Sequence, residues 1–259
     1  TDHISKDFIM DYQNFNEKIY NAHSLEDWFS IHDQLCDWMV KFDNIEDFNL
    51  SKMLRDQIDE SDKIFKNFIS TEYQNLVSSS KESLFTPFTI KNKIYNPLKE
   101  NKKCILIIFD CLRADQWKTM SNNLYNDFKI STDYQSSIIP STTFYSRNSI
   151  FSGYFPLDLY NNNKELYTKM SSSESEYNKQ EHELLKNQLN RLGLDDKSTG
   201  YIKVSSFEYG KSIVNNISDY KNIDLLCMVV NFIDILAHSR SESNVLKEVL
   251  TDEASYRDI

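Results

Sequence analysis

The sequence predicts an α/β domain built on a doubly wound sheet and preceded by an α-helical bundle. Apolar residues recur with a helical period from about residue 24 to residue 77. Farther along, two short apolar runs, "CILIIFD" and "LLCMVVNFID", end in Asp110 and Asp234. Helix-like segments follow both runs, and this alternation is typical of a parallel sheet with helices on both faces. We therefore expect the bundle at residues 1–90 and the α/β domain at residues 91–259.

In the helical half, a helix is expected to begin at Ser24. Ser24 and Asp27 have the S-x-x-D spacing of a capping box, in which each side chain bonds to the other residue's backbone. The apolar residues that follow indicate a helix packed against others, and this half contains no catalytic constellation. Residues 78–103 break the pattern with serines, lysines and two prolines, so we interpret them as a connector.

The α/β half contains several further predicted elements. After the first apolar run, a helical stretch is expected to reach Phe128. Pro140 ends a strand-like "SSII", and "TTFYSRNSIFSG" predicts a helix that stops near Gly153. Residues 161–180 are polar and of low complexity, so we expect a mobile loop there. Another helix is expected over "EHELLKNQLNRLG", closed by Gly193.

Composition restricts the class of protein. The chain has 259 residues and a formal net charge of −10, which argues against a general coat for nucleic acid. No apolar run approaches the roughly 20 residues of a membrane-spanning helix, so we expect a cytoplasmic protein with no membrane partner. The four cysteines show no C-x-x-C spacing, and reduced thiols are expected rather than disulfides or a zinc knuckle.

Two strand-ending carboxylates indicate a metal site. The carboxyl ends of parallel strands share one edge of a sheet, so Asp110 and Asp234 are expected at the same edge. His238 follows Asp234 by four residues, and D-x-x-x-H on a helix can offer an oxygen and an imidazole to one metal ion. The alternative interpretation is that each Asp caps a helix and that His238 is a surface histidine.

A threonine at a helix start is the third element of the expected site. Thr143 lies at the start of the helix after Pro140, where the helix dipole and unpaired backbone N–H groups suit phosphate oxygens. A threonine hydroxyl is a poor nucleophile unless a metal ion lowers the barrier, and Arg147 can offset phosphoryl charge. Plain helix capping by Thr142 and Thr143 is the alternative.

Three motifs together carry a family resemblance. "IIFDCLRADQW", "YQSSIIPSTTFYSRNSIFSGYFP" and "NFIDILAHSR" resemble the PglZ domain, a branch of the alkaline phosphatase superfamily. The likeness extends into the helical half through "DWFSIHDQLCDWMVKFD" and is to the PorX-type response regulators in particular. The resemblance therefore implies an alkaline-phosphatase-like fold for the α/β domain. A haloacid-dehalogenase-type phosphatase is excluded because "DCLRAD" lacks the D-x-D spacing.

The resemblance assigns roles to individual residues. It implies zinc as the cofactor, with two ions in the intact protein. Asp110 and Thr143 would be metal ligands, and Asp234 and His238 would be two ligands of the other zinc ion. Thr143 would be the catalytic nucleophile, since P-S-T-T-F resembles the P-x-x-T-F order of nucleotide pyrophosphatases/phosphodiesterases and favours it over Thr142. Arg147 and Asn148 occupy family positions near the substrate phosphate.

The resemblance also implies an activity and partners. It implies a metal-dependent phosphodiesterase or phosphatase that acts on nucleotides or oligonucleotides, in a two-component regulator of type IX secretion. A sensor kinase or sigma factor would be a partner, and a homodimer is compatible with the family.

The sequence departs from the superfamily pattern at its later metal ligands. The superfamily has a later Asp-His pair and a further His, whereas His3, His23, His32 and His182 all precede Asp234. We therefore expect the 259 residues to be part of a longer protein and to bind zinc weakly on their own. Two other functions stay open: a catalytically inactive signalling or scaffold module that uses the fold for dimerisation and partner binding, and a phage-defence PglZ protein.

Overall fold

A computed structural model describes residues 2–43, 45, 47–79, 83–231 and 233–234. In chain order the helices are α1 (Asp2–Tyr20), α2 (Leu25–Phe42), α3 (Phe48–Val77), α4 (Tyr95–Lys99), α5 (Ala114–Ser121), α6 (Thr143–Ser152), α7 (Pro156–Asn162), α8 (Lys164–Met170), α9 (Glu181–Arg191) and α10 (Phe207–Asn215). The strands are β1 (Cys104–Phe109), β2 (Thr199–Val204) and β3 (Leu225–Val230). Residues Ile90–Ile94 form a π-helical turn, and 3₁₀ turns span Thr86–Phe88, Glu174–Glu176 and Ile217–Tyr220.

The chain divides into two compact units. Residues 2–79 and the segment Leu112–Tyr134 form the first unit, and residues 83–111 and 135–234 form the second. The expected boundary between residues 90 and 91 differs from this division, because the second unit begins earlier and the first unit takes a segment from the second half of the chain.

The first unit is a helical bundle, as the apolar periodicity predicts. The expected capping box begins α2: the Ser24 hydroxyl accepts from the Asp27 N–H at 3.1 Å, and the Asp27 carboxylate accepts from the Ser24 N–H at 3.0 Å. Phe8, Phe15 and Trp38 are buried in the bundle core, where Trp38 makes edge-to-face contacts with both phenylalanines. Aromatic packing of this kind, more than helix propensity, holds such a bundle together.

The segment Leu112–Tyr134 packs against α2 through polar contacts. Lys118 lies 2.7 Å from Asp33 and from Asp37, and the Tyr134 hydroxyl donates to Asp33 at 2.5 Å. The helical stretch expected to reach Phe128 ends at Ser121 and continues as turns. The asparagines that follow Ser121 favour turns, because their side chains compete for backbone hydrogen bonds.

The second unit contains the predicted parallel sheet, with strand order β1-β3-β2. Both outer strands pair in parallel with β3, and Phe109 and Val204 each lie opposite Val230. Alternate residues of β3 enter different cores: Leu225, Cys227 and Val229 pack with α6 and α9, whereas Leu226 packs with α10. Helices therefore cover both faces of the central strand, which confirms the α/β fold class.

Three expectations about local structure are wrong. Much of the expected connector at residues 78–103 forms short helical turns, in which Ile90 and Leu98 are fully buried in the core of the second unit. The expected loop at residues 161–180 contains α8, and Met170 is fully buried. Burial of a few apolar side chains therefore gives these polar segments a defined structure. In the strand-like "SSII", only Ser136 forms an isolated bridge, with Phe85.

Among the helices that the structure describes, none combines the length and apolar character needed to cross a bilayer.

Candidate functional site

The ends of β1 and β3 bring two aspartates to one edge of the sheet. Asp110 directly follows β1, and its N–H donates to the Val230 carbonyl at the end of β3 at 3.0 Å. The next residue, Cys111, turns the chain with a φ of 64° and donates its thiol hydrogen to Asp234 Oδ1 at 3.0 Å. Burial and the adjacent Asp234 carboxylate raise the pKa of the Cys111 thiol to about 12, so the thiol stays protonated and can donate.

A buried arginine connects this edge to α6. Arg147 is 3% exposed, and its Nη1 donates to Asp110 at 2.9 Å and to Asn231 at 3.3 Å. Its Nε and Nη2 donate to the two carboxylate oxygens of Glu181, each at 2.8 Å. Burial acts to lower the pKa of Arg147, but the Glu181 and Asp110 carboxylates outweigh burial and raise it above its usual range.

Glu181 holds the arginine from the opposite side. It is the first residue of α9, is 0% exposed, and accepts a hydrogen bond from the Tyr201 hydroxyl of β2. Burial and the Glu181 charge both raise the pKa of Tyr201, which keeps the phenol protonated as a donor. Neither residue carries a sequence signal, because an acid in the first turn of a helix is ordinary and a tyrosine in a strand is common.

Thr143 is the first residue of α6 and is half-buried. Arg147 follows it by one helical turn, so the two side chains lie on the same face of α6. Arg147 connects this face to Asp110 through a hydrogen bond. Thr142 occupies the N-cap position, but its exposed side chain makes no capping hydrogen bond. The capping interpretation of Thr142 therefore has no support in the geometry.

Asn148 is buried like its neighbour Arg147 but differs from it in its side-chain hydrogen bonding. It is 2% exposed, and neither of its side-chain amide atoms has a hydrogen-bond partner among the described residues. It lines a small apolar cavity with Phe144, Leu159 and Met170. The expected contact of Asn148 with substrate phosphate stays a prediction.

The described part of the edge fits part of a zinc site. The carboxylates of Asp110 and Glu181 flank the Arg147 guanidinium, and the Asp234 carboxylate lies at the same edge, so these four groups together carry a net charge of −2 that a cation would offset. Carboxylate oxygens are suitable zinc ligands. Within residues 2–43, 45, 47–79, 83–231 and 233–234, no group of three His, Cys, Asp or Glu side chains has the arrangement of a metal site. His238 lies outside the described residues.

Comparison with known families identifies the second unit. The family model described as "BREX system PglZ alkaline phosphatase-like domain" matches residues 90–258, which is more than half of the chain. The chain belongs to the PglZ family. The matched residues include Asp110, Thr143 and Asp234, and the match confirms the resemblance that the three motifs carry. An alkaline-phosphatase-like domain places the chain in a superfamily of hydrolases.

A second family model covers the helical half. The model described as "PorX response regulator linker domain" matches residues 1–77, which include α1, α2 and α3. The two matches together support a PorX-type regulator with an alkaline-phosphatase-like PglZ domain. No curated protein matches the chain.

Proposed function

We propose that the PglZ domain is a zinc-dependent phosphoric ester hydrolase whose nucleophile is Thr143. One observation carries the proposal. Asp110 directly follows β1, Asp234 follows the end of the neighbouring parallel strand β3 by four residues, and Arg147, one turn after Thr143, donates to Asp110 at 2.9 Å. The carboxyl edge of such a sheet is where doubly wound folds bind ligands.

The metal would be held by Asp110, Thr143, Asp234 and His238, with two zinc ions in the intact protein. Bound zinc supplies a positive charge that favours loss of the threonine proton and offsets charge on phosphoryl oxygens. The N-terminus of α6 adds backbone N–H groups and the positive end of the helix dipole beside Thr143.

The proposed reaction has two balanced steps. The Thr143 oxygen attacks phosphorus while the bond to the leaving alcohol oxygen breaks, and the alcohol departs with a proton. Water then attacks the phosphothreonine, releases the phosphate product and returns the hydroxyl proton to Thr143. Substrates of this type are phosphodiesters or phosphomonoesters, and we propose nucleotides or oligonucleotides.

The family matches support a regulatory context for this activity. A PorX-type regulator in the cytoplasm would act in type IX secretion, with a sensor kinase or sigma factor as partner and with a homodimer as one assembly. The match of residues 1–77 to the PorX linker domain favours this context over phage defence.

The Thr143→Ala substitution tests the proposal, and Thr142→Ala is its matched control. We expect Thr143→Ala to lower zinc-dependent hydrolysis of bis-p-nitrophenyl phosphate by several orders of magnitude, because the nucleophile is lost. The exposed Thr142 makes no capping bond, so Thr142→Ala is expected to retain most of the activity. Release of p-nitrophenol measures the rate, and circular dichroism checks that both variants fold. Unchanged turnover by a folded Thr143→Ala protein would remove the proposed nucleophile.

A catalytically inactive scaffold is the second candidate function. The observation that favours it is the charge of Arg147, which Glu181 and Asp110 already offset inside the protein. In this case neither threonine substitution would matter, because zinc would not support hydrolysis by the wild-type protein. The same assay therefore separates the two candidates.

A further inference from the structure

The hydrogen bonds of Arg147 leave little of its guanidinium for a ligand. A guanidinium has five N–H bonds, and Arg147 donates through Nε, through Nη2 and twice through Nη1. Each acceptor belongs to the protein: two oxygens of Glu181, one of Asp110 and one of Asn231. The side chain is also almost completely buried. A substrate phosphate would have to displace these partners before it could bind Arg147.

The charges around Arg147 lead to the same conclusion. Its positive charge faces two carboxylates, those of Glu181 and Asp110, so no excess positive charge is left for a phosphate. With Asp234 at the same edge, the surroundings are net negative and would repel a phosphate until a cation binds. A bidentate Arg–carboxylate pair also fixes the orientation of the guanidinium plane.

We infer that Arg147 is a positioning residue that orients Asp110 and is not a ligand of the phosphate. Glu181 holds Arg147 in place, and Tyr201 supports Glu181. The inference rests on the proposed function, because it takes Asp110 as a zinc ligand. It replaces the phosphate contact that the family resemblance implies for Arg147. It also assigns a role to Glu181, whose carboxylate fixes the guanidinium from behind, and to Tyr201, which donates to that carboxylate.

Two substitutions and one matched control test the inference. Glu181→Gln keeps the side-chain shape and removes the charge, and Arg147→Lys keeps the charge and removes the planar fork. Asp115→Asn is the control, because Asp115 is 2% exposed and accepts two bonds from Arg113, at 3.0 and 2.6 Å, in the first unit. The control loses an Arg–carboxylate pair whose residues are not among those assigned to the candidate site.

The first measurements are zinc affinity, by competition with a chromogenic chelator, and the affinity of the zinc-loaded protein for inorganic phosphate, by calorimetry. We expect Glu181→Gln and Arg147→Lys to raise the zinc Kd about tenfold to a hundredfold, as loss of a residue that orients a ligand does. Phosphate affinity of the zinc-saturated variants should be unchanged, and the control should alter neither constant. A drop in phosphate affinity with unchanged zinc affinity would overturn the inference, as would no change in either.

A nitrogen-15 NMR measurement tests the inference at Arg147 itself. In metal-free protein the Nε–H signal of Arg147, identified by its loss in Arg147→Lys, should exchange slowly, and in zinc-loaded protein it should not move when inorganic phosphate is added. In Glu181→Gln the signal should exchange rapidly. A shift of the wild-type signal with phosphate, or no change in exchange in Glu181→Gln, would overturn the inference. Failure of the wild-type protein to bind zinc would instead count against the proposed function.

Discussion

At the scale of single residues, the candidate site is held together by hydrogen bonds between residues far apart in the chain: Cys111 with Asp234, and Glu181 with both Arg147 and Tyr201. Asp110 and Asp234 were predictable because each follows an apolar strand, Asp110 directly after β1 and Asp234 four residues after the end of β3. Glu181, Tyr201 and Cys111 were not, because their roles depend on contacts between residues far apart in the chain. A buried charged pair is recognisable only once the partner is known, since an isolated Glu or Arg is normally exposed.

His182, the residue after Glu181, has a lowered pKa, and this predicts a pH dependence of stability. His182 bonds to the Thr199 hydroxyl at 3.0 Å and stacks on Tyr201, and burial, with repulsion by Lys186, lowers its pKa below the usual value. A lowered histidine pKa stabilises the fold above about pH 6.5, the unfolded value, and this stability is lost as pH falls through the folded pKa.

We therefore expect the free energy of unfolding of His182→Gln to fall less steeply below about pH 6.5 than that of the wild-type protein. Urea unfolding followed by circular dichroism at several pH values measures the slope. Equal slopes for His182→Gln and the wild-type protein would contradict the assignment.

At the scale of elements, local signals predicted what local forces determine. The capping box of α2, the strands β1 and β3, and the helix α6 with its glycine stop are all encoded within a few residues. Strand β2, "TGYIKV", was missed because a glycine and a lysine interrupt its apolar residues. Helix α8 was missed because its order comes from burial of Leu166 and Met170 in a core that other segments build.

Gly153, which ends α6, has no room for a side chain. Gly153 has a φ of 69°, and a Cβ there would lie 2.2 Å from the end of the Gln188 amide on α9. Gly193, after α9, has a φ of 70° with no atom within 4 Å of an added Cβ. Gly193→Ala should therefore cost only the left-handed backbone strain, about 1–2 kcal/mol. Gly153→Ala should cost about 1–3 kcal/mol more, because the Cβ overpacks against Gln188.

Unfolding free energies from urea titration test this comparison directly. Gly193→Ala is its internal control, since both glycines share the left-handed conformation and differ in the space around them. An equal loss for the two variants would mean that Gln188 moves aside without cost, and the packing of α6 against α9 would then be looser than the contacts indicate.

At the scale of the whole molecule, the division into two units does not follow the order of the sequence. The segment Leu112–Tyr134 lies within the PglZ match, yet it belongs to the first unit, where Lys118 and Tyr134 bond to Asp33 of α2. These pairings join residues far apart in sequence and leave no local pattern. The chain leaves the second unit directly after Cys111 and returns to it after Tyr134. Asp110 and Thr143 therefore lie on either side, along the chain, of a segment that belongs to the first unit.

The most direct test of the proposed site is the position of zinc at the carboxyl edge of the sheet. Crystals of the protein soaked in zinc, with diffraction recorded at the zinc absorption edge, would locate the ion without any assay. We predict zinc peaks within about 2.0–2.2 Å of carboxylate oxygens of Asp110 and of Asp234, with Arg147 still hydrogen-bonded to Asp110 and Glu181. Zinc bound only elsewhere, with both aspartates unligated, would contradict the account.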